Sequence, residues 1–294
     1  MALLSAAILR QLDALCAQLR TRVTSRHQGE RRSATRGAAG DFFGHRPYAA
    51  GDDLRRVDWK AYARSGQPVL KQFRTDEELM LRIVVDCSAS QSAHFEQIQQ
   101  LAAAIAYVAL GHGERVQVFC GGNAVRLHDL PRRTLRNYPA LARGLELQVA
   151  GGVTSLTTLL RGVLSRSPRA GVVVILSDFL AADSFDRAVR DLRRAGHEPV
   201  LVHCMPERDD FADLWGDCAL EDCETGEVVE VTVDDALLAD IDAAQHRHAH
   251  ALEALADAVQ GRLLSFRSGS SPAFLCAQLF GASRSEVGSA DARR

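Results

Sequence analysis

The chain has 294 residues, 47% hydrophobic and 24% charged, enough apolar material for one large α/β domain or two small ones. Its formal net charge of −2 excludes the strongly basic balance of a general nucleic-acid binder. The longest apolar runs, Leu101–Leu110 and Gly171–Leu176, fall well short of the roughly 20 residues that cross a bilayer. Arg10 and Asp13 interrupt the apolar start before the core of a secretory leader is complete, so the expected location is cytoplasmic, without membrane insertion. Seven scattered cysteines, an odd number, read as structural thiols rather than a disulfide framework.

In chain order, Leu4, Ile8, Leu12, Leu15, Leu19 and Val23 recur at helical spacing, which predicts an N-terminal amphipathic helix over 1–25. Residues 26–78 read as a polar linker followed by an irregular, charge-rich segment. From residue 79 onward the pattern changes. Leu79–Val85 predicts a buried strand, Phe95 to Gly111 a helix, Arg115–Cys120 a strand, and a second short strand runs through Leu127. Helices are expected around Thr134–Leu145 and Leu156–Ser165, then a strand at Gly171–Leu176, a helix at Ser184–Ala195 and a strand at Val200–Cys204. ALEDCETGEVVEV signals a hairpin turning at Thr225-Gly226. A long helix over Asp235–Gln260, a strand at Arg262–Phe266 and a helix at Pro272–Phe280 complete a domain over 79–281, and 282–294 form a polar tail. Strands alternating with helices predict an α/β fold: a Rossmann-like, mostly parallel sheet with helices on both faces.

In such sheets the site lies beyond the carboxyl ends of the strands. Three loops there carry small oxygen donors: DCSASQS (Asp86, Ser88, Ser90), GGVTSL (Thr154, Ser155) and SDF (Ser177, Asp178). Residues two apart in a loop leaving a strand can point the same way, so Asp86, Ser88 and Ser90 can face one ion while Cys87 and Ala89 turn inward. Hard cations such as Mg²⁺ take oxygen donors of this kind. The competing reading is local: Ser90 or Ser92 as the cap of the helix from Phe95, and Asp178 as a turn starter. His94 is the local candidate for a base and is otherwise read as a surface residue.

With DxSxS, a Thr and an Asp in that order, the chain resembles the von Willebrand factor A fold with its metal-ion-dependent adhesion site. The resemblance implies a site of Asp86, Ser88, Ser90, Thr154 and Asp178 for Mg²⁺ (or Mn²⁺), in which serines and threonine contact the ion and the last aspartate acts largely through water.

Upstream, RPYAAGDDLRRVDWKAYARSGQPVLKQF, from Arg46 to Phe73, resembles the signature of domain of unknown function family 58. That resemblance spans about residues 27–280 and implies a bacterial protein working with a MoxR-type AAA+ ATPase or its client. The opposed charges of the segment form either a structural Arg–carboxylate network or a partner surface. The candidate partner-binding set is Arg46, Asp52, Asp53, Arg55, Asp58, Trp59 and Arg64, with Trp59 and Tyr62 read as packing anchors. His246, His248 and His250 read as a solvated helix face, and the acidic stretch from Glu207 to Asp242 as a solvated hairpin and helix start. Together these features predict a metal-dependent protein-binding adaptor or co-chaperone that is not an enzyme. A metal-dependent phosphoester hydrolase and a metal-free scaffold are the alternatives.

Overall fold

The computed structural model describes residues 3–26, 41–49, 52, 57–74, 80–121, 126–129, 134–153, 155–166, 169–180, 184–206 and 215–281. The chain forms two compact units, one from Met1–Thr24 with Leu79–Arg294 and a smaller one from Ser25–Glu78. Helix α1 (Ala6–Arg26) belongs to the larger unit, where Leu4, Leu12, Cys16 and Leu19 are buried in its core.

The smaller unit corrects the expectation of an irregular segment. Strand β1 (Asp41–Pro47) pairs antiparallel with β2 (Val69–Arg74), with a register irregularity between Phe42 and Gly44. Helix α2 (Trp59–Ser65) lies between them in the chain and ends at Gly66, whose φ of +68° is one that glycine adopts without strain. Val57 bridges to Leu70, and both are buried. The pairing is hard to read from sequence because β1 carries a glycine, a bulge and a terminal proline, while β2 is only six residues long.

The larger unit is built on a six-stranded sheet. In chain order its elements are β3 (Met80–Asp86), α3 (Phe95–Gly111), β4 (Arg115–Gly121), β5 (Arg126–Asp129), α4 (Tyr138–Glu146), α5 (Leu156–Arg166), β6 (Val172–Ser177), α6 (Phe185–Arg194), β7 (Glu198–Met205), β8 (Gly216–Glu221), β9 (Val228–Val233), α7 (Asp235–Ala258), β10 (Arg262–Arg267) and α8 (Pro272–Gly281). The sheet order is β10-β7-β6-β3-β4-β5. All neighbours are parallel except the edge strand β5, which returns antiparallel to β4. This is the expected von Willebrand factor A-like arrangement. The order reverses between β3 and β6, so the topological switch point lies at the carboxyl ends of those two strands.

Both faces of the sheet are covered, which explains why its central strands read as continuous apolar runs. On one face α3 packs with α1, α4 and α8, and its alanines at 102–104 and 106 are fully buried. Small residues let helices approach closely: a methyl on Gly111 of α3 would lie 3.0 Å from the sulfur of Cys16 on α1. On the other face, side chains from α5, α6 and α7 close over Val84, Phe119, Val173, Ile175 and Leu201. Each fully buried Leu, Ile or Phe side chain contributes about 1.5–3 kcal/mol. Helix α7 buries only Leu252, Leu255 and Ala256, all in its C-terminal half.

One half-buried acid leads to a prediction. Burial alone pushes Glu114, at the turn before β4, from 4.5 up to about 7. A raised folded-state value means that the folded chain binds the extra proton, so this contribution to stability is complete below pH 4.5 and is lost as pH rises through about 7. A shift of that size corresponds to about 3 kcal/mol at full strength, and the side chain's remaining water access reduces it to about 1 kcal/mol. Glu114→Gln should therefore raise the melting temperature at pH 8 and leave it unchanged at pH 4. Thermal melts across that range check both ends.

Candidate metal centre

Asp86 is the last residue of β3, at the switch point, and is only 3% exposed. Its Oδ1 accepts the N–H of Ser88 at 3.0 Å, and its Oδ2 accepts the hydroxyl of Ser177, the last residue of β6, at 2.6 Å. One carboxylate thus joins the two strand ends on either side of the switch point. Burial pushes its pKa up and the nearby charge of Asp178 adds to that, while the bonds from Ser177 and Ser88 oppose it.

The hydroxyls of Ser88 and Ser90 lie 2.8 Å apart. In an octahedral Mg²⁺ shell with bonds of about 2.05 Å, adjacent ligands are separated by roughly 2.9 Å. The two hydroxyls are hydrogen-bonded to each other, at a distance that also matches one edge of such a shell. The capping alternative fails here, because α3 begins after His94 with no side-chain cap from Ser90 or Ser92, and the Ser92 hydroxyl turns back to the Ala89 carbonyl at 2.6 Å. Burial does not alternate along this loop: Asp86, Cys87 and Ser88 are all buried, and Ala89 and Ser90 are both half-buried.

The loop before α5 is strapped to this one by its backbone. Gly151 N–H donates to the Cys87 carbonyl at 2.9 Å, and Ala89 N–H donates to the Gly152 carbonyl at 3.0 Å. Thr154 lies outside the described residues. Ser155 caps α5, accepting the Thr158 N–H at 3.1 Å.

Asp178 comes directly after β6, is 7% exposed, and accepts the Leu180 N–H on Oδ1 at 3.0 Å, so it does start a turn. The next residue, Phe179, has φ of +58°, a strained conformation for a non-glycine residue. It is held by the Ser177 hydroxyl, which accepts its N–H at 2.9 Å, and by its buried ring against Phe185 and His203. His248 closes the arrangement from α7 by donating Nε2–H to the Asp178 carbonyl at 2.9 Å, and its ring stands edge-on to His203. Burial, then His248, pushes His203 down to about 4, so that ring is neutral near pH 7.

Several expectations change. His248 is half-buried and turned toward the site, whereas His246 and His250 are exposed, so the histidine cluster is not one solvated face. His94 is buried, not a surface residue. Ser177, one of the oxygen donors of the SDF motif, bonds the Asp86 carboxylate, and His248, which the motifs do not indicate, holds the Asp178 carbonyl. Glu224, at the tip of the β8–β9 hairpin, is half-buried, and burial raises its carboxyl above the usual carboxylate range, with the charge of Asp178 adding and Ser90 opposing. Exposed Val149, Val153 and Leu180 flank the site in sequence.

In the smaller unit, Asp58 caps α2 by accepting the N–H of Lys60 (3.0 Å) and Ala61 (3.2 Å), and also bonds His45 at 2.9 Å. Asp52 accepts the Ala49 N–H at 2.9 Å, and Arg64 donates to the Lys60 carbonyl. Trp59 and Tyr62 meet edge-on but are 60% and 43% exposed, which overturns their reading as packing anchors. Asp53, Arg55 and the side chain of Arg46 lie outside the described residues.

Among the described residues no three His, Cys, Asp or Glu side chains group to hold a metal. No described helix is long and apolar enough to cross a membrane. The chain is 32% identical over 213 residues to the uncharacterized protein Rv1480 of Mycobacterium tuberculosis, covering 69% of this chain and 67% of that one. Among solved structures it is similar to the conserved hypothetical protein BatB from Bacteroides thetaiotaomicron, with a TM-score of 0.44, 12% identity, and coverage of 70% of this chain and all of that one. It is also similar to proximal thread matrix protein 1 of the mussel byssus with a zinc-occupied MIDAS motif, with a TM-score of 0.36, 15% identity, and coverage of 45% and 39%. The family described as protein of unknown function DUF58 matches residues 44–251, and the chain belongs to it.

Proposed function

We propose that this protein is a binding module that grips an acidic side chain of a protein partner through a divalent cation, Mg²⁺ or Mn²⁺. The 2.8 Å separation of the Ser88 and Ser90 hydroxyls, set above the buried Asp86, carries this reading. Ser88, Ser90 and Thr154 would hold the ion, with Asp86 and Asp178 acting largely through water. Few direct carboxylates leave net positive charge and an open coordination position, which a partner's Asp or Glu fills. Val149, Val153 and Leu180, exposed beside the site loops, supply apolar contact around that charge.

The family resemblance makes a MoxR-type AAA+ ATPase or its client the partner to test first, in the cytoplasm. A binding role rather than catalysis is favoured because His203 is buried and His248 is committed to the Asp178 carbonyl. The test is capture of a MoxR-type AAA+ ATPase by the full chain, in Mg²⁺ and in EDTA, with Asp178→Ala alongside. Capture should require Mg²⁺ and fall about tenfold or more in the variant. Equal capture under all conditions would overturn the metal-bridged grip. Mg²⁺-dependent turnover of a phosphomonoester, lost in Asp178→Ala, would replace it with a hydrolase.

A further inference from the structure

Charge is divided between two exposed faces of the larger unit. Helix α5 carries Arg161 and Arg166 and no acid, and α6 carries four arginines against two aspartates. Phe185, Ala188, Val189 and Leu192 turn α6 toward the core, which leaves Arg187, Arg190 and Arg194 exposed in one row at i, i+3 and i+7. These three line a single groove with Ser184 and Asp186. Arg187 and Arg190 have no ion-pair partner among the described residues, and Arg194 meets only the neighbouring Asp191, at 2.9 Å.

The opposite sign is gathered on the β8–β9 arm. From Gly216 to Gln245 there are ten acids and no lysine or arginine. The pairing of Asp217 with Thr232, Ala219 with Glu230 and Glu221 with Val228 puts three acids on one face of the arm, and all six residues are exposed. Across that face the Thr232 hydroxyl donates to the Asp217 carboxylate at 2.8 Å. The other face carries Cys218 and Val231, half-buried, and Val233, buried, so the acidic face is the one turned to solvent.

The geometry points to a contact between two copies of this chain, in which the acidic face of one copy's β8–β9 arm lies along the arginine row of the other copy's α6. Both rows are exposed, so neither is neutralised within its own chain. Their lengths agree. Asp217 to Glu221 spans about 14 Å of strand at roughly 3.4 Å per residue. Arg187 to Arg194 spans about 10.5 Å of helix at about 1.5 Å per residue, and the long arginine side chains cover the difference. Guanidinium groups suit this pairing because their donors match a carboxylate two at a time. Val228, 57% exposed on the acidic face, adds apolar contact between the charges. The two surfaces differ, so the contact is head-to-tail: each copy keeps a free arm or a free row, and association closes into a ring or continues. Exposed ion pairs are individually weak and are screened by salt, so the association is reversible and salt-sensitive. Neither the metal centre nor the smaller unit takes part.

Sedimentation equilibrium of the full chain tests this. In about 50 mM salt the average mass of the parent should rise with concentration up to about 0.5 mM protein, and in about 500 mM salt it should return to that of the monomer. Arg187→Glu with Arg190→Glu, and separately Glu221→Arg with Glu230→Arg, should each weaken association about tenfold or more. An equimolar mixture of the two reversed chains should recover it, because a reversed row then faces a reversed arm. The contact is overturned by a parent that stays monomeric in about 50 mM salt, by reversals that leave association unchanged, or by a mixture that does not recover it.

Discussion

Asp86→Asn should bind Mg²⁺ at least about a hundredfold more weakly than the parent, yet melt at a higher temperature than the parent in EDTA at pH 8. Loss of outer-shell partners alone weakens metal sites tenfold to a hundredfold, and Asp86 both supplies charge and links β3 to β6 through Ser177. At about a hundred times its dissociation constant, Mg²⁺ adds about 2.7 kcal/mol to the parent. For a chain of this size that is a rise of roughly 5–10 °C, and the variant should show none of it. The behaviour expected in EDTA comes from the raised pKa of Asp86. A raised value means that stability is complete below the ordinary carboxylate range and is lost as pH climbs and the buried group must ionise beside Asp178. Asparagine is neutral throughout. It keeps the acceptor for the Ser88 N–H and turns its amide toward the Ser177 oxygen, whose second lone pair is available beside the Phe179 bond. At pH 3, below the ordinary carboxylate range, the two melts should converge. Scanning calorimetry at both pH values, with and without Mg²⁺, separates the two effects. A variant that is less stable than the parent in EDTA at pH 8 would show that Asp86 is held there for structure and not for a cation.

That combination explains how the site is distributed along the chain. The buried carboxylate costs stability in the free protein, and the surroundings hold it rigidly through Ser177, the strained Phe179 and the His248–Asp178 bond. Preorganised donors of this kind are usual where a ligand repays the strain.

The sheet and most of the candidate site residues are legible in the sequence because they obey local rules. LRIVV and GVVVIL announce buried strands, and the residues immediately after each must lie at the carboxyl edge, so Asp86, Ser88, Ser90 and Asp178 can be placed before any contact is known. Their supports cannot, because they come from distant segments. Ser177 reaches Asp86 only once β3 and β6 are neighbours. His248 reads as one of three solvated histidines because helical spacing does not say which of them faces a carbonyl on another loop. Trp59 and Tyr62 mislead for the opposite reason. Aromatic residues usually anchor a core, but α2 is only seven residues long and buries none of them, leaving Val57 and Leu70 to hold the smaller unit.

The largest loss of stability from a single methyl group is expected at Gly171, at the opposite end of the same strand pair. A Cβ there would lie 2.3 Å from the Met80 carbonyl oxygen and 2.8 Å from Nη1 of Arg82. The first obstacle is backbone at the start of β3, so no rotamer change relieves it. The second is a fully buried guanidinium whose contacts leave little freedom. Nη2 donates to the Arg169 carbonyl at 2.7 Å, and Nη1 donates to Nδ1 of His197 at 3.3 Å. Burial pulls Arg82 down to about 10, and burial together with the Arg82 charge pulls His197 down as well, so the imidazole is the neutral acceptor this bond requires. Moving Arg82 to admit the methyl breaks both contacts and leaves a charge in the core without partners, which costs several kcal/mol. Moving Met80 instead opens the first rungs of the β3–β6 pairing at Leu81 and Val172. Gly171→Ala should therefore lose about 3 kcal/mol or more, a fall of roughly 6–12 °C in melting temperature. Gly151→Ala, where the added methyl meets nothing within 4 Å, should change it by less than about 2 °C. If the two variants melt together, β3 and β6 separate at their starts without penalty, and the rigidity argued for their carboxyl ends must come from the loops alone.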